Sequence, residues 1–372
     1  MDPAPSPVIN DVLPSEILAM IFEDHATLDW KAPIIDELVC HLWRQIVRNT
    51  PRAWAYLEIH RDYPLSSERV RSWLRLSGTA LLHIHVDQNF TLDNHDSKIK
   101  LFDLLGDHHT RIVSLRMGFG DYNFFIGREF PYLRHLDIRR WYPTPPSSST
   151  MLWGPMPQLR SLHSGPIDFS AVPWNELDSL KMLTLWNTNY TVLQQHSKSL
   201  TTLMLDDVTL TDTISGLVDF PSLTYLSLWN VTGLKPHIKT PCLFAYHEGG
   251  ETQIESFSAP VPSLMEYGVC GLEFSNPEWN RYFPNLARLS VRAHVSVLIS
   301  IFDSLSNPSH SIPSLEMINA GLINEWDYTD GDIEIMDNIV PQLGVAVIFE
   351  STDPFHIPIF FGEVYIYPSD DL

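Results

Sequence analysis

Apolar residues follow two different rhythms along this chain of 372 residues. Over the first fifty positions they recur at helical spacing. Ile17, Leu18, Ile21 and Phe22 mark one face of a short helix, with Pro14 at its first position and Glu16 near the positive end of its dipole. The pairs Ile34/Ile35, Leu38/Val39, Leu42/Trp43 and Ile46/Val47 then recur every four residues. That stripe predicts a single helix over 33–49, opened by Pro33 and closed before Pro51. At 1.5 Å per residue it would be about 25 Å long. Pro51 and Trp54 start a short irregular segment. Pro64 to Gly78 reads as a linking helix with Val70, Trp73 and Leu74 on one face and Gly78 as its stop. A few small helices cannot bury so many large side chains among themselves, so apolar surface is left over for a partner.

The second rhythm is a repeat of the form Pro-x-Leu-x-x-Leu-x-Leu. Clear copies run from Pro131 to Ile138, Pro221 to Leu228 and Pro284 to Val291. Weaker copies start at Leu81, Ile112, Leu159, Leu180, Leu200, Leu243, Leu264 and Leu315. From Ile112 the intervals between first positions are 21, 26, 21, 20, 23, 20, 21, 22 and 29 residues, and a last relaxed copy starts at Leu343. One short strand every 20 to 29 residues is the signature of leucine-rich repeats, in which each strand turns two apolar positions inward and stacking buries a continuous core. Near-constant spacing favours this over a β-sandwich or propeller. Pro143 to Thr150 reads as an exposed loop, Asp327 to Asp337 as a solvated acidic edge, and Phe355 to Tyr367 as a closing strand pair.

Three pieces of the helical stretch carry a family resemblance: Leu13-Pro14-x-Glu16-Ile17-Leu18-x-x-Ile21-Phe22, Val39-Cys40-x-x-Trp43-Arg44 and Thr50-Pro51-x-x-Trp54. In that order they resemble the F-box, in its fungal (basidiomycete-like) form, with His41 where a basic residue is usual. Val70 to Gly78 resembles the helix that often follows, and the repeats resemble the irregular leucine-rich repeats found after an F-box. The resemblance implies an α/β protein with an F-box module over 8–58, a linking helix over 59–80 and a leucine-rich-repeat solenoid over 81–349. The solenoid would be a curved parallel sheet with loops and short helices on its convex side, closed by a cap and tail over 350–372. It further implies the substrate-recognition subunit of a Skp–cullin–F-box ubiquitin ligase. Leu13, Pro14, Ile17, Leu18, Ile21, Phe22, Val39, Cys40 and Trp43 then stand as adaptor-facing or module-core positions. The runner-up is a repeat scaffold without a ligase role.

Strand alternation selects the surface for a target. If the third and fifth residues after each first leucine point in, the fourth and sixth point out. These outward columns contain Asp137, Arg139, Trp186, Asp206, Trp229 and Arg292. Trp186 and Trp229 stand two units apart, about 10 Å at the ~5 Å strand spacing. Tryptophans flanked by Asp and Arg have the composition of a binding hot spot; the competing reading is that they fill gaps at the repeat edge.

Charge and composition narrow the partners. There are 24 basic against 45 acidic residues, a net −21, which argues against a nucleic-acid backbone or an anionic membrane and favours a basic partner surface. Cys40, Cys242 and Cys270 form no disulfide framework or zinc pattern. Residues 1–10 lack the features of a signal peptide and no long apolar run spans a membrane, so the expected location is cytoplasmic, nuclear or both. That also sets aside a secreted glycoprotein using the sequons at Asn89, Asn189 and Asn230. His83 and His85 could face one metal, and Asp107-His108-His109 has ligand residue types, yet neither has a companion motif. No Gly-x-Ser-x-Gly elbow or phosphate-binding Gly-Lys loop occurs. The expectation is a binding protein without cofactor, metal or catalytic residues.

Overall fold

The computed structural model describes residues 13–59, 67–86, 95–118, 120–139, 141–142, 153–165, 172, 177–190, 198–210, 217–233, 237–250, 260–271, 282–307, 311–322 and 330–349. Two compact units divide the chain, Met1–Leu200 and Thr201–Leu372. The Asn89 sequon, the Pro143 to Thr150 run and Phe355 to Tyr367 lie outside the described residues.

The first unit opens with helices α1 (Ser15–Leu28), α2 (Ala32–Val39) and α3 (His41–Arg48), then a 3-10 turn at Pro51–Trp54. Pro14 stands at the N-cap of α1 rather than inside it, and its carbonyl accepts from the N–H groups of Ile17 and Leu18. The single helix expected over 33–49 is two. Cys40 is extended (φ −159°, ψ 173°), ending α2 and capping α3 with its Sγ, which accepts from the Trp43 N–H at 3.5 Å. Two contacts fix the break. The Trp43 ring is drawn to Phe22, 4.9 Å between centroids, and Arg48 reaches back to Glu37 at 2.8 Å. Val47 is thereby buried while Leu38 and Val39, on the same sequence stripe, face outward.

Helix α4 (Ser67–Leu76) presents Val70, Trp73 and Leu74 to the core, and Trp73 meets Trp54 edge-on at 4.8 Å. Its C-terminal carbonyls are closed by Arg111, whose guanidinium donates to the carbonyls of Leu74 and Ala80 and to the Ser77 hydroxyl. Gly78 follows in the left-handed region at φ +51°, as a helix stop requires.

The main ladder of this unit has six parallel strands in chain order among the described residues: β1 (Tyr56–Ile59), β2 (Leu82–Val86), β3 (Ile112–Met117), β4 (His135–Ile138), β5 (Ser161–Ser164) and β6 (Met182–Tyr190). Sequence reading placed only irregular chain at β1, yet Leu57 and Ile59 are buried and the strand pairs along its whole length with β2. Helix α5 (His95–Gly106) comes between β2 and β3. Phe102, Phe124, Phe125, Phe130 and Trp153 then pack ring against ring at centroid distances of 5.0 to 5.6 Å.

The main ladder of the second unit has seven parallel strands among the described residues. They are β7 (Thr202–Leu210), β8 (Tyr225–Trp229), β9 (Ala245–Gly249), β10 (Glu266–Gly271), β11 (Arg288–Ala293), β12 (Met317–Leu322) and β13 (Ala346–Phe349). Helix α6 (Val295–Ser306) follows β11. Helix α7 (Asp330–Ile339) precedes β13 and takes up Glu334 and Asp337 of the acidic stretch.

Several strands are entered through one recurring turn. The first-leucine N–H bonds to the carbonyl three residues back in Phe130–Leu133, Met156–Leu159, Phe220–Leu223, Val261–Leu264, Phe283–Leu286 and Ile312–Leu315. Proline follows the leading residue in all six, presetting φ at the second turn position. The leading side chain is buried, an inward position the repeat formula omits. In the second unit three residues also take the left-handed conformation, Asp207 within β7 (φ 50°), and Asn230 (φ 48°) and Gly250 (φ 66°) directly after β8 and β9. Asn230 Nδ2 donates to Asp207 Oδ1 at 2.9 Å, tying two of these turns together.

The inward columns are those expected, with Leu136, Ile138, Leu183, Leu185, Leu226 and Leu289 nearly or fully buried. Glu248 is the main departure. It occupies an inward position of β9, opposite Leu228 on β8 and Val269 on β10, and is buried. The hydroxyls of Tyr246 and Tyr267, themselves inward and fully buried, both donate to its carboxylate. The protein is α/β, built on parallel strands.

Candidate functional site

The three-helix module divides its apolar residues cleanly. Leu18, Phe22, Ala26 and Val47 form its interior. On α1, Ile17, Met20, Ile21 and Leu28 return to one azimuth at 100° per residue and are exposed. On α2 the exposed set is Ile35, Leu38 (75 %) and Val39, and on α3 it is Leu42. Of the fifteen exposed large apolar side chains among the described residues, these are eight. Of the nine positions singled out from sequence, Leu18 and Phe22 are therefore core. Leu13, Cys40 and Trp43 are half-buried; Pro14, Ile17, Ile21 and Val39 are exposed. Met20, Leu28, Ile35, Leu38 and Leu42 complete the outward set. Helical spacing from Ile17 was the available signal for Met20 and Leu28.

The outward face of the first sheet is polar and ordered by register. One row reads Glu58, His85, Arg116, Asp137, His163, Thr184. His85 Nδ1 lies 2.7 Å from Glu58 Oε1, and Arg116 Nε lies 3.3 Å from Asp137 Oδ2. Asp137 is thus engaged across the strands. His163 Nε2 sits 3.3 Å from Met182 Sδ and 3.4 Å from Thr184 Oγ1. Burial, with His135 and Arg134 adding to it, pushes the His83 imidazole down to about 4. His135 is lowered by burial and then by Arg134 and Arg160. His163 is lowered by burial, with Asp137 opposing and Arg116 and Arg139 adding. Trp186 is half-buried. Its Nε1 lies 3.1 Å from where a Cβ on Gly165 would stand, so the indole leans over the neighbouring strand.

In the second unit one register row reads Asp206, Trp229, Gly249, Cys270, Arg292, Gly321. The Trp229 ring takes the space above Gly249, where a Cβ would come within 2.1 Å of it. His247 covers Gly268 in the same way, at 2.5 Å, and its Nε2 lies 3.4 Å from Glu266 Oε1. Ser227, Trp229, His247, Gly268 and Cys270 line a shallow recess. Burial, with Asp207 beside it, pushes the Asp206 carboxyl up to about 6. Burial also raises the Cys270 thiol, against the opposing charge of Arg292. Both tryptophans therefore fold over an adjacent glycine while keeping part of their surface in solvent.

The metal-ligand residue types are otherwise engaged. His83 stacks on Tyr56 (4.8 Å, 13° between planes), and His109 Nδ1 lies 2.6 Å from the Gly106 carbonyl. No group of three metal-ligating side chains occurs among the described residues. No described helix is long and apolar enough to cross a membrane. No protein-family model matches the chain, and no curated protein is similar to it.

Proposed function

We propose that this protein is the substrate-recognition subunit of a Skp–cullin–F-box ubiquitin ligase. In this reading α1 to α3 form an F-box that docks on a Skp-family adaptor. The parallel strands form a leucine-rich-repeat solenoid that holds a protein target. Catalysis is then borrowed: the receptor contributes proximity, keeping a target lysine near an enzyme bound elsewhere in the assembly. The observation that carries the reading is the concentration of exposed apolar side chains on three short helices whose own interior is already filled. A soluble surface of that kind marks a protein interface. The order of the Leu13-Pro14, Val39-Cys40 and Thr50-Pro51 pieces supports the F-box in particular.

The test is capture of a purified Skp-family adaptor by the full chain and by Ile17→Asp/Leu38→Asp, which alters exposed positions only. Stoichiometric capture by the native chain, lost in the variant with near-UV circular dichroism unchanged, is the expected outcome. Absence of capture by the folded native chain refutes the ligase reading and leaves a repeat scaffold.

A further inference from the structure

One register row on the outward face of the second unit carries opposite charges: Asp206 on β7 and Arg292 on β11, with Trp229 and Cys270 between them. All four side chains are half-buried. The residues that precede them, Leu205, Leu228, Val269 and Val291, are buried, and strand alternation then turns these four outward. The ion pairs among the described residues of this unit, Lys239 with Asp219 and His247 with Glu266, use neither Asp206 nor Arg292.

Each charge lacks a counter-charge among the described residues. On β7, Thr202 and Met204 share the face of Asp206, and its partner in register is Trp229. Burial, then the neighbouring Asp207, pushes the Asp206 carboxyl up to about 6, with no cation opposing. Asp207 itself accepts from Asn230. On β11, Arg292 stands between Cys270 and Gly321, with Ser290 before it on the same face. Four strand spacings separate the two charges, about 19 Å. That is roughly two Debye lengths at physiological salt, too far for either to answer the other. Between them the Trp229 ring lies over Gly249, and Ser227, Trp229, His247, Gly268 and Cys270 line the shallow recess beside it.

We propose that this row docks an extended segment of a protein target, laid across the strands, that carries a basic residue for Asp206, a small apolar residue for the recess and an acidic residue for Arg292. Side chains on one side of an extended chain recur about every 6.8 Å. With the basic residue on Asp206, the next such position lies over β8 and the one after reaches about 13.6 Å, close to the recess between β9 and β10. The position beyond that stands at about 20 Å, on Arg292. The order is therefore basic, apolar four residues on, acidic two further. A purely basic segment, which the net −21 alone would favour, leaves Arg292 facing a like charge, and a polyanion does the same to Asp206. The inference rests on the target-binding half of the proposed function and is independent of its adaptor half.

Fluorescence anisotropy of the full chain tests it with three labelled nine-residue serine peptides, substituted at the second, sixth and eighth positions by Lys, Val and Glu, by Lys, Val and Lys, or by Glu, Val and Glu. The Lys–Val–Glu peptide should bind most tightly. Arg292→Glu should weaken it about tenfold or more and make Lys–Val–Lys the preferred probe. Asp206→Asn should weaken Lys–Val–Glu without weakening Glu–Val–Glu. Arg71→Glu, the same charge change at an exposed position of α4, should leave all three affinities unchanged. Equal or tighter binding of Lys–Val–Lys by the native chain overturns the proposal, as does no binding of Lys–Val–Glu or equal loss in Arg71→Glu and Arg292→Glu. If Arg292→Glu unfolds the protein, Arg292→Gln must still weaken Lys–Val–Glu. Adaptor capture is scored separately: failure here with capture intact removes the docking surface alone, and loss of capture with peptide binding intact removes the ligase reading alone.

Discussion

The buried carboxyl of Glu248 offers a sharp test of the fold. It points inward where its neighbours in register are Leu228 and Val269, and the phenols of Tyr246 and Tyr267 donate to its two oxygens, the first at 2.6 Å. Burial, then the Glu248 charge, raises both phenols well above the usual tyrosine range, so they remain donors wherever the protein is folded. A hydrogen bond to a charged group contributes about 1.5–3 kcal/mol. Tyr267→Phe alone should therefore destabilise the second unit by about 2 kcal/mol. Tyr246→Phe/Tyr267→Phe should reach about 3–5 kcal/mol, the range for removing a hydrogen-bonded partner from a buried charge. Adding Glu248→Leu, the residue type one strand away, removes the charge itself and should recover most of that loss, since apolar replacements of buried polar sets are often neutral or better. Urea unfolding followed by near-UV circular dichroism, with calorimetry to separate the two units, reads all three values. A double variant weakened by less than about 1 kcal/mol, or a triple variant weaker still than the double, would refute the view that the phenols hold the carboxyl in place.

Other expectations follow from single sites. Gly154→Ala would bring a Cβ within 1.9 Å of the Arg128 carbonyl oxygen, which is backbone and cannot swing aside. The first unit should lose at least about 3 kcal/mol in the same urea assay, above the usual range for overpacking. Phe22→Ala, removing a buried ring packed on Trp43, should weaken the helical module by about 3–5 kcal/mol, read by protease resistance of α1 to α3. The two units should respond to acid in opposite senses. Asp206, raised to about 6 from its ordinary 3.8, favours the protonated folded form, so its penalty is complete above pH 6 and fades toward pH 4. His83, lowered to about 4 from 6.5, favours the neutral folded form, so its contribution is intact above pH 6.5 and is lost as pH falls toward 4. Asp206→Asn should flatten the first trend and His83→Gln the second, each read as a calorimetric midpoint against pH.

Much of this architecture was legible because each strand advertises itself locally. Leu133, Leu136 and Ile138 stand at spacings only an inward-facing strand explains, and the proline two residues before the first leucine marks the turn. Three features were not legible, for different reasons. The break at Cys40 interrupts no apolar spacing; it is set by Trp43 meeting Phe22 and Arg48 meeting Glu37, contacts that no periodicity records. Strand β1 has a recognisable alternation, but Pro51 and Trp54 just before it suggested irregular chain. Glu248 breaks the binary pattern, and its satisfaction needs a tyrosine from the following strand 19 residues on. As for the candidate sites, alternation identified the outward columns. Side-chain lean did not follow from it: Trp186 and Trp229 fold over glycines contributed by other strands.

Within each unit, chain order and spatial order coincide along the main ladder, where each strand from β2 to β6 and from β8 to β13 pairs with the ladder strand made just before it. A ribosome adds about 5–20 residues per second, so a repeat of roughly twenty residues emerges every one to four seconds. Each newly exposed strand then finds its partner already formed and waiting, with only a short loop to close. The nascent chain can order itself from its amino end onward, strand by strand, while the rest is still being translated.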